Sequence, residues 1–396
     1  MWCIEPGQLL VLPREGDNVG EGFERLYSAL TLAYELKGLP HDVREKMIAG
    51  IEKLGSIPTV VAVPEGEEEH YAQLLTNEKR VRTAIPNYHL ELSQSGIKID
   101  RAAIAIAIRR LNADPSASLC GIGARVAILD TGIDPTSLSH TARLQTYQLN
   151  TDDPANNSLF DDHGHGTLVA SIIESIAPSA ELLSVKVFGQ HGNAASLTIG
   201  LLQAMKAFDP HVINLSLALS ATPSCPNCGN YLPGVVAKQQ LETMLAHITA
   251  GSEPILVAAA GNGDSGRPLL PADCENVLAV GSYDYVQSKP VYRYRQVEPK
   301  RFVFAPGGMS SAPLGKSYLR NRRGATLHGT SFAAAFTSGI AARYVCSQQG
   351  RGPCAGKVIA GVTPRHVALH GIAANSIKNY AGFMPQTHGL GLLNYN

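Results

Sequence analysis

The chain has 396 residues, with 44% apolar and 17% charged side chains, a globular balance that excludes a disordered polymer. Lys+Arg and Asp+Glu number 33 each, so the net charge is zero and no concentrated positive field invites a nucleic acid. The longest apolar stretches, such as 103–108 and 255–260, are too short for a bilayer-spanning helix, so no membrane partner is expected.

The opening Met1-Trp2-Cys3-Ile4-Glu5-Pro6 lacks the basic cap and apolar core of a secretory signal. Seven cysteines (Cys3, Cys120, Cys225, Cys228, Cys274, Cys346, Cys354) form an odd, scattered set. Together these features set the expectation of a reducing, cytoplasmic setting with free thiols; only in an oxidising one would nearby Cys346 and Cys354 bridge.

Up to about Leu92 the chain carries charged, helix-like stretches and short apolar runs. QLLVLP at 8–13 reads as a strand, Phe23, Leu26, Leu30 and Tyr34 give helical spacing over 22–37, and TVVAV at 59–63 is β-branched. The acidic run 65–69 opens a predicted helix, since negative charge suits the positive end of a helix dipole. VRTAIPNYHLEL at 81–92 reads as a further strand, broken by Pro86. Residues 1–95 are thus expected to form a small α+β unit, with SQSGI at 93–97 as the seam to a larger domain, 96–396.

Beyond the seam, predicted strands at 125–129, 182–188, 211–217, 255–260 and 277–280 alternate with predicted helices at 166–176, 196–208, 235–250 and 331–345. That alternation predicts an α/β fold, a doubly wound and mostly parallel sheet with helices on both faces. There is no internal repeat or low-complexity block.

Three separated segments each pair a reactive side chain with small residues. In VAILDTGID (126–134), Asp130 ends an apolar strand, where open α/β folds build sites. In GHGTLVA (164–170), His165 lies between glycines at a helix start. In HGTSFAAAFTSG (328–339), Ser331 opens a helix apolar nearly all round, at the end whose dipole favours developing negative charge. A serine hydroxyl becomes a nucleophile only with a base, and the base needs an orienting group. A fourth segment, VAAAGNG (257–263), supplies Asn262, whose amide can donate to an oxyanion beside the N–H of Ser331.

These four blocks, in this order, resemble the signature blocks of the subtilisin-like serine proteases, the subtilases. The resemblance extends over IAPSAELLSVKVFG (176–189), VINLSLA (212–218), LPADCENVLAVGS (270–282) and GLGLLN (389–394), from about residue 97 onward. It implies a serine endopeptidase in which Ser331 is the nucleophile, His165 the general base and acid, Asp130 its orienting group and Asn262 the oxyanion donor. It further implies that Ser216, Leu217 and Ala218 pair with an extended protein or peptide substrate, and that Ala258, Ala259, Ala260 and Gly261 wall the main specificity pocket. Such proteases commonly begin with an α+β propeptide whose tail plugs the cleft, so residues 1–95 are expected to be an intramolecular inhibitor with 88–93 in the cleft. A retained docking domain is the alternative.

The chain departs from the family pattern in Ala335, where proline is usual, in Ala218, where glycine is usual, and in Leu269 at the pocket floor; the last two narrow the pocket. The short connection after the histidine helix omits a calcium loop, and no metal or other cofactor is expected. Restricted specificity, in maturation or regulatory proteolysis, is the leading reading. A peptide-processing transpeptidase or macrocyclase with the same triad, and a non-catalytic scaffold, are the alternatives.

Each signal has a plainer reading. An apolar run into Asp-Thr-Gly also marks aspartic proteases, but those need two such carboxylates and only one is present. Alone, His165 reads as structural and Ser331 as a helix cap. His163 is expected in an exposed loop, and His328 to pack or hydrogen-bond locally. Cys225-Pro-Asn-Cys228 has zinc-ligand spacing but no second pair, which favours loop thiols. Lys316, Arg320, Arg322 and Arg323 read as a solvated face.

Overall fold

The structure, a computed structural model, describes residues 4–13, 59–77, 81–91, 100–113, 120–139, 143–148, 161–189, 192–219, 235–263, 266–284, 289–292, 294, 297–308, 327–348, 363–376, 378, 383–384 and 389–395. The helix expected over 22–37, the Cys225–Cys228 pair, the basic run and the seam at 93–97 lie outside the described residues.

Ile4–Pro13 (β1), Thr59–Ala62 (β2) and Val81–Tyr88 (β3) form an antiparallel sheet in the order β2-β1-β3, against which Glu68–Thr76 (α1) packs. Strand alternation divides the two faces of β1. Leu9 and Val11 join Ala72, Leu75, Val81 and Ala84 in a small core, whereas Leu10, Leu12, Ile85 and Tyr88 enter the large core. The acidic run does open a helix, and buried Glu68 uses Oε1 to accept the backbone N–H groups of Gly7 (2.7 Å) and Gly66 (3.1 Å). Pro86 does not break the strand as expected. It lies within β3 opposite Leu9, and β3 ends the three-strand order, an edge where proline is tolerated. The interruption falls at His89, after which Leu90–Glu91 (β4) leaves for another sheet.

The larger region runs Arg101–Arg110 (α2), Arg125–Asp130 (β5), Leu144–Gln148 (β6), His165–Ile176 (α3), Glu181–Lys186 (β7), Ala194–Phe208 (α4), Val212–Leu215 (β8), Ala218–Leu219 (β9) and Val235–Ile248 (α5). Ile255–Ala259 (β10), Val277–Asp284 (β11), Lys289–Pro290 (β12), Phe302–Pro306 (β13), Thr330–Gln348 (α6) and Pro364–Asn375 (α7) complete it. Eight strands follow the order β12-β11-β10-β8-β5-β7-β6, with β13 beside β11, and every pair is parallel except β11–β12. The doubly wound α/β expectation holds. β8 and β10 are buried along their whole length, which accounts for the all-apolar sequence of β10 and for β8 being apolar except at Asn214, whose side chain is hydrogen-bonded to Ser216 and Ser338. The chain fills one side of β5 with β6 and β7, then the other with β8, β10 and β11, so the carboxyl end of β5 is a topological switch point. Asp130 is there.

The helix α2 was not expected from the sequence. Ile104, Ile106 and Ile108 alternate as in a strand, but Asp100 caps a helix by accepting the N–H groups of Ala102 (2.9 Å) and Ala103 (3.2 Å). The buried set is Ala103, Ile104, Ala107 and Ile108, at helical spacing, and Ile106 is left exposed. Cys120 is disulfide-bonded, so the expectation of free thiols fails there, while Cys274 and Cys346 are buried thiols outside any disulfide. Among the described residues, no helix is long and apolar enough to cross a membrane, and no three His, Cys, Asp or Glu side chains group to hold a metal.

Candidate active site

Asp130 and His165 are fully buried and meet directly, the Nδ1–H of His165 donating to Asp130 Oδ1 at 2.7 Å. Glycine makes this approach possible. Gly164 turns into α3 with φ 82°, and a Cβ on Gly166 would collide with the Gly132 carbonyl oxygen and the Asp130 side chain. The N–H of Thr131 also donates to Asp130 Oδ1, at 2.8 Å, leaving Oδ2 buried without a hydrogen bond. His165 Nε2 is likewise buried and without a hydrogen-bond partner. Burial alone would lower the pKa of His165. The charge and hydrogen bond of Asp130, with the charge of Asp161, outweigh it and hold the imidazole above its ordinary value.

Ser331 stands in the first turn of α6, and the ring of Phe332 beside it lies 5.9 Å from that of His165. The Ser331 hydroxyl donates to the Ser216 carbonyl (2.9 Å), and the Ser216 hydroxyl donates to the Ser331 carbonyl (2.8 Å). Behind this reciprocal pair, Asn214 Nδ2 donates to Ser216 Oγ (2.9 Å) and Ser338 Oγ donates to Asn214 Oδ1 (3.0 Å). The nucleophile expected from the sequence therefore faces a carbonyl in this conformation and makes no hydrogen bond to His165 Nε2. Asn262 is exposed. Its Oδ1 accepts from the N–H (2.8 Å) and hydroxyl (3.1 Å) of Thr330, which leaves Nδ2 as the donor available to a ligand.

Ala258 and Ala259 end β10, and Ala260 and Gly261 continue from it, all four buried. Gly261 is pinned by Thr330 Oγ1 on its N–H (3.1 Å) and by the Tyr294 hydroxyl on its carbonyl (2.7 Å). Leu269 covers it, since a Cβ on Gly261 would lie 2.8 Å from Leu269 Cδ1. Ser216 and Leu217 link β8 to β9, and Ala218 lies in β9. β9 is paired with this chain's own N-terminal region: Leu90 is opposite Leu219 and Glu91 opposite Ala218, antiparallel. On the other side of β4, the N–H of Leu90 donates to Gly192 O (2.7 Å) and His89 bridges to Asn193. Residues 89–91 thus lie between two backbone edges, with Leu90 buried.

Three features escaped the sequence reading. Asp161 is a buried acceptor joined to both the Asp130 turn and the His165 helix; its sole sequence signal is an acid four residues before a Gly-His-Gly helix start. Tyr294 supports the pocket wall from a distant loop. His163 is not exposed but half-buried, its ring 6.1 Å from that of His165; burial and then the charge of His165 lower its pKa, against Asp130 and Asp161. His328 follows its expectation of local contact, with the Tyr292 hydroxyl at 3.5 Å from Nδ1.

A doubly wound sheet carrying an acid–imidazole pair at its switch point, beside a serine-bearing helix, defines an α/β protein of the hydrolase type. The chain belongs to the subtilase family, whose model matches residues 121–359. It is 31% identical over 238 residues to alkaline elastase YaB of Bacillus sp. (strain YaB), covering 57% of this chain and 55% of that one. It is 33% identical over 237 residues to subtilisin Savinase of Lederbergia lenta, covering 57% and 77%. The chain spans about half the length of several curated relatives it matches, alkaline elastase YaB among them. The solved epidermin leader peptide processing serine protease of Staphylococcus aureus shares the fold over 98% of both chains, with TM-score 0.63 and 15% identity.

Proposed function

We propose that this chain is a serine endopeptidase acting through an acyl-enzyme on Ser331. The observation that carries the reading is the buried 2.7 Å pair of His165 and Asp130, with Nε2 unpartnered on the ring beside Phe332. Rotation of Ser331 about χ1 releases the Ser216 carbonyl and turns the hydroxyl toward Nε2; staggered serine rotamers differ little in energy. Oγ attacks the peptide carbonyl as its proton passes to Nε2, and Asp130 stabilises the imidazolium. Asn262 Nδ2 and the Ser331 N–H receive the oxyanion. As the C–N bond breaks, the proton on Nε2 goes to the leaving amine, and water then repeats the sequence on the acyl ester. An extended substrate would add as a strand between residues 192–193 and β9. Leu269 over Gly261 narrows the side-chain pocket, which supports restricted specificity of the maturation or regulatory kind.

Residues 1–95 are read as an intramolecular inhibitor, because β4 lies in the slot a substrate strand would use. Wild type and Ser331→Ala are to be compared by fluorophosphonate labelling, peptide hydrolysis and intact mass. Labelling at Ser331, with hydrolysis confined to wild type, is expected. No label at Ser331 in any processed or unprocessed form would favour the scaffold alternative, and product mass with an amine acceptor distinguishes a transpeptidase. Activity should climb as pH rises through the raised value of His165, because only the neutral imidazole accepts a proton.

A further inference from the structure

Asp161 is buried and lies on neither strand nor helix, yet it accepts four hydrogen bonds. Oδ1 takes the hydroxyl of Thr131 (2.7 Å) and the N–H of Gly164 (2.7 Å). Oδ2 takes the N–H (2.7 Å) and hydroxyl (2.6 Å) of Thr167. Each threonine hydroxyl is committed in turn, for Thr131 Oγ1 accepts the N–H of Gly166 (2.9 Å) and Thr167 Oγ1 that of Asp134 (2.8 Å). Both hydroxyl protons must therefore point at Asp161, and the site requires a pure acceptor; a side-chain amide would turn its NH2 toward two donors.

The network has a direction. Thr131 and Asp134 belong to the turn after Asp130, while Gly164, Gly166 and Thr167 bracket His165. We propose that Asp161 is a positioning residue for the reaction, clamping the backbone around His165 onto the strand end that carries Asp130. This rests on the triad reading above. Gly166 makes the close approach of the two segments sterically possible, and Asp161 holds it. A ring displaced by about 1 Å can cost on the order of 10²-fold in rate.

The charge of Asp161 also bears on His165, raising its pKa together with Asp130. The groups facing His165 are Asp130 from β5, Asp161 and His163 from the preceding loop, and the uncharged Phe332 from α6; the nearby Lys186 of β7 is 3.4 Å from Asp162. Removing one negative charge should move the acid limb of kcat/KM to lower pH.

The test compares Asp161→Asn, Thr131→Val and Thr131→Ser with wild type and Ser331→Ala in the full chain, with far-ultraviolet circular dichroism checking each fold. Asp161→Asn and Thr131→Val should lose about 10²-fold in kcat with KM within about threefold, and Thr131→Ser should recover most of the loss. The acid limb should fall in Asp161→Asn alone. If Asp161→Asn does not fold, the Val-against-Ser pair decides. Wild-type kcat and an unmoved acid limb in Asp161→Asn, with labelling still abolished by Ser331→Ala, would overturn the positioning role and leave the triad standing. A wild type that takes no probe at Ser331 overturns both.

Discussion

The two regions of the molecule bury their sheets in different ways. The large parallel sheet is covered on both faces by its own helices, and Asn214, Ser216 and Ser338 in its interior hydrogen-bond to one another. The small antiparallel sheet closes only one face for itself, under α1. Its other face, Leu10, Leu12, Ile85 and Tyr88, belongs to the large core. At ~1.5–3 kcal/mol per buried side chain, those four place roughly 6–12 kcal/mol at the shared face, an upper estimate. The large region is the platform that carries the candidate site, and the small sheet is a cover fitted to it along one face.

The sharpest way to break this division is Ser331→Ala, which should reduce kcat by ~10⁶-fold and leave the chain full length by intact mass. Residual self-cleavage would place chemistry elsewhere. Asn262→Ala should retain measurable probe labelling but slow hydrolysis by ~10²–10³-fold; an unchanged rate would mean another group holds the oxyanion. Next, Asn87→Ala probes the seam. Asn87 is buried, accepts the N–H of Ala195 at the start of α4 (3.1 Å) and donates to Gln8 (3.0 Å). Its loss should weaken the hold of the small sheet by ~1–3 kcal/mol, seen as faster amide exchange in β3 and β4 of the Ser331→Ala background. Equal exchange in the two proteins would remove Asn87 from the interface account.

The smallest effect tests the platform alone. Burial, then the charge of Arg125, lowers the pKa of His211 to about 4 against the opposing charge of Asp209, and its Nδ1 accepts the N–H of Arg125 at 3.0 Å. A histidine lowered on folding binds fewer protons than in the unfolded chain, so stability is full above the unfolded value near 6.5 and falls as pH drops toward 4. His211→Asn keeps an acceptor and removes the titration. It should spare ~1–2 kcal/mol of that loss at pH 5, read from urea unfolding at pH 5 and 7.5. Parallel pH dependence in both proteins would contradict it.

Much of the platform was legible because its chemistry is written in contiguous blocks. An apolar run into Asp130, glycines around His165 and a small-residue helix after Ser331 each announce a local backbone demand. Asp161 was hidden because its partners are spread from Thr131 to Thr167 with no period that a strand or helix imposes. The alternating isoleucines of α2 obeyed a strand pattern, and Asp100 at the cap with burial against the core decided otherwise. Edge strands such as β6, with the sequence LQTYQ, lack the apolar signature by which central strands are found. The turned-away hydroxyl of Ser331 is a rotamer choice, which sequence does not encode.

The β4–β9 pairing joins two parts of one polypeptide, and this sets terms for any outside peptide. A tethered strand faces its slot at an effective concentration of order millimolar, however dilute the protein. Dilution therefore leaves the slot filled. If the N-terminal region acts as the proposed inhibitor, a rival peptide must gain entry by severing the leash or waiting for the cover to lift, so vacancy would be governed by a local event rather than by bulk concentration.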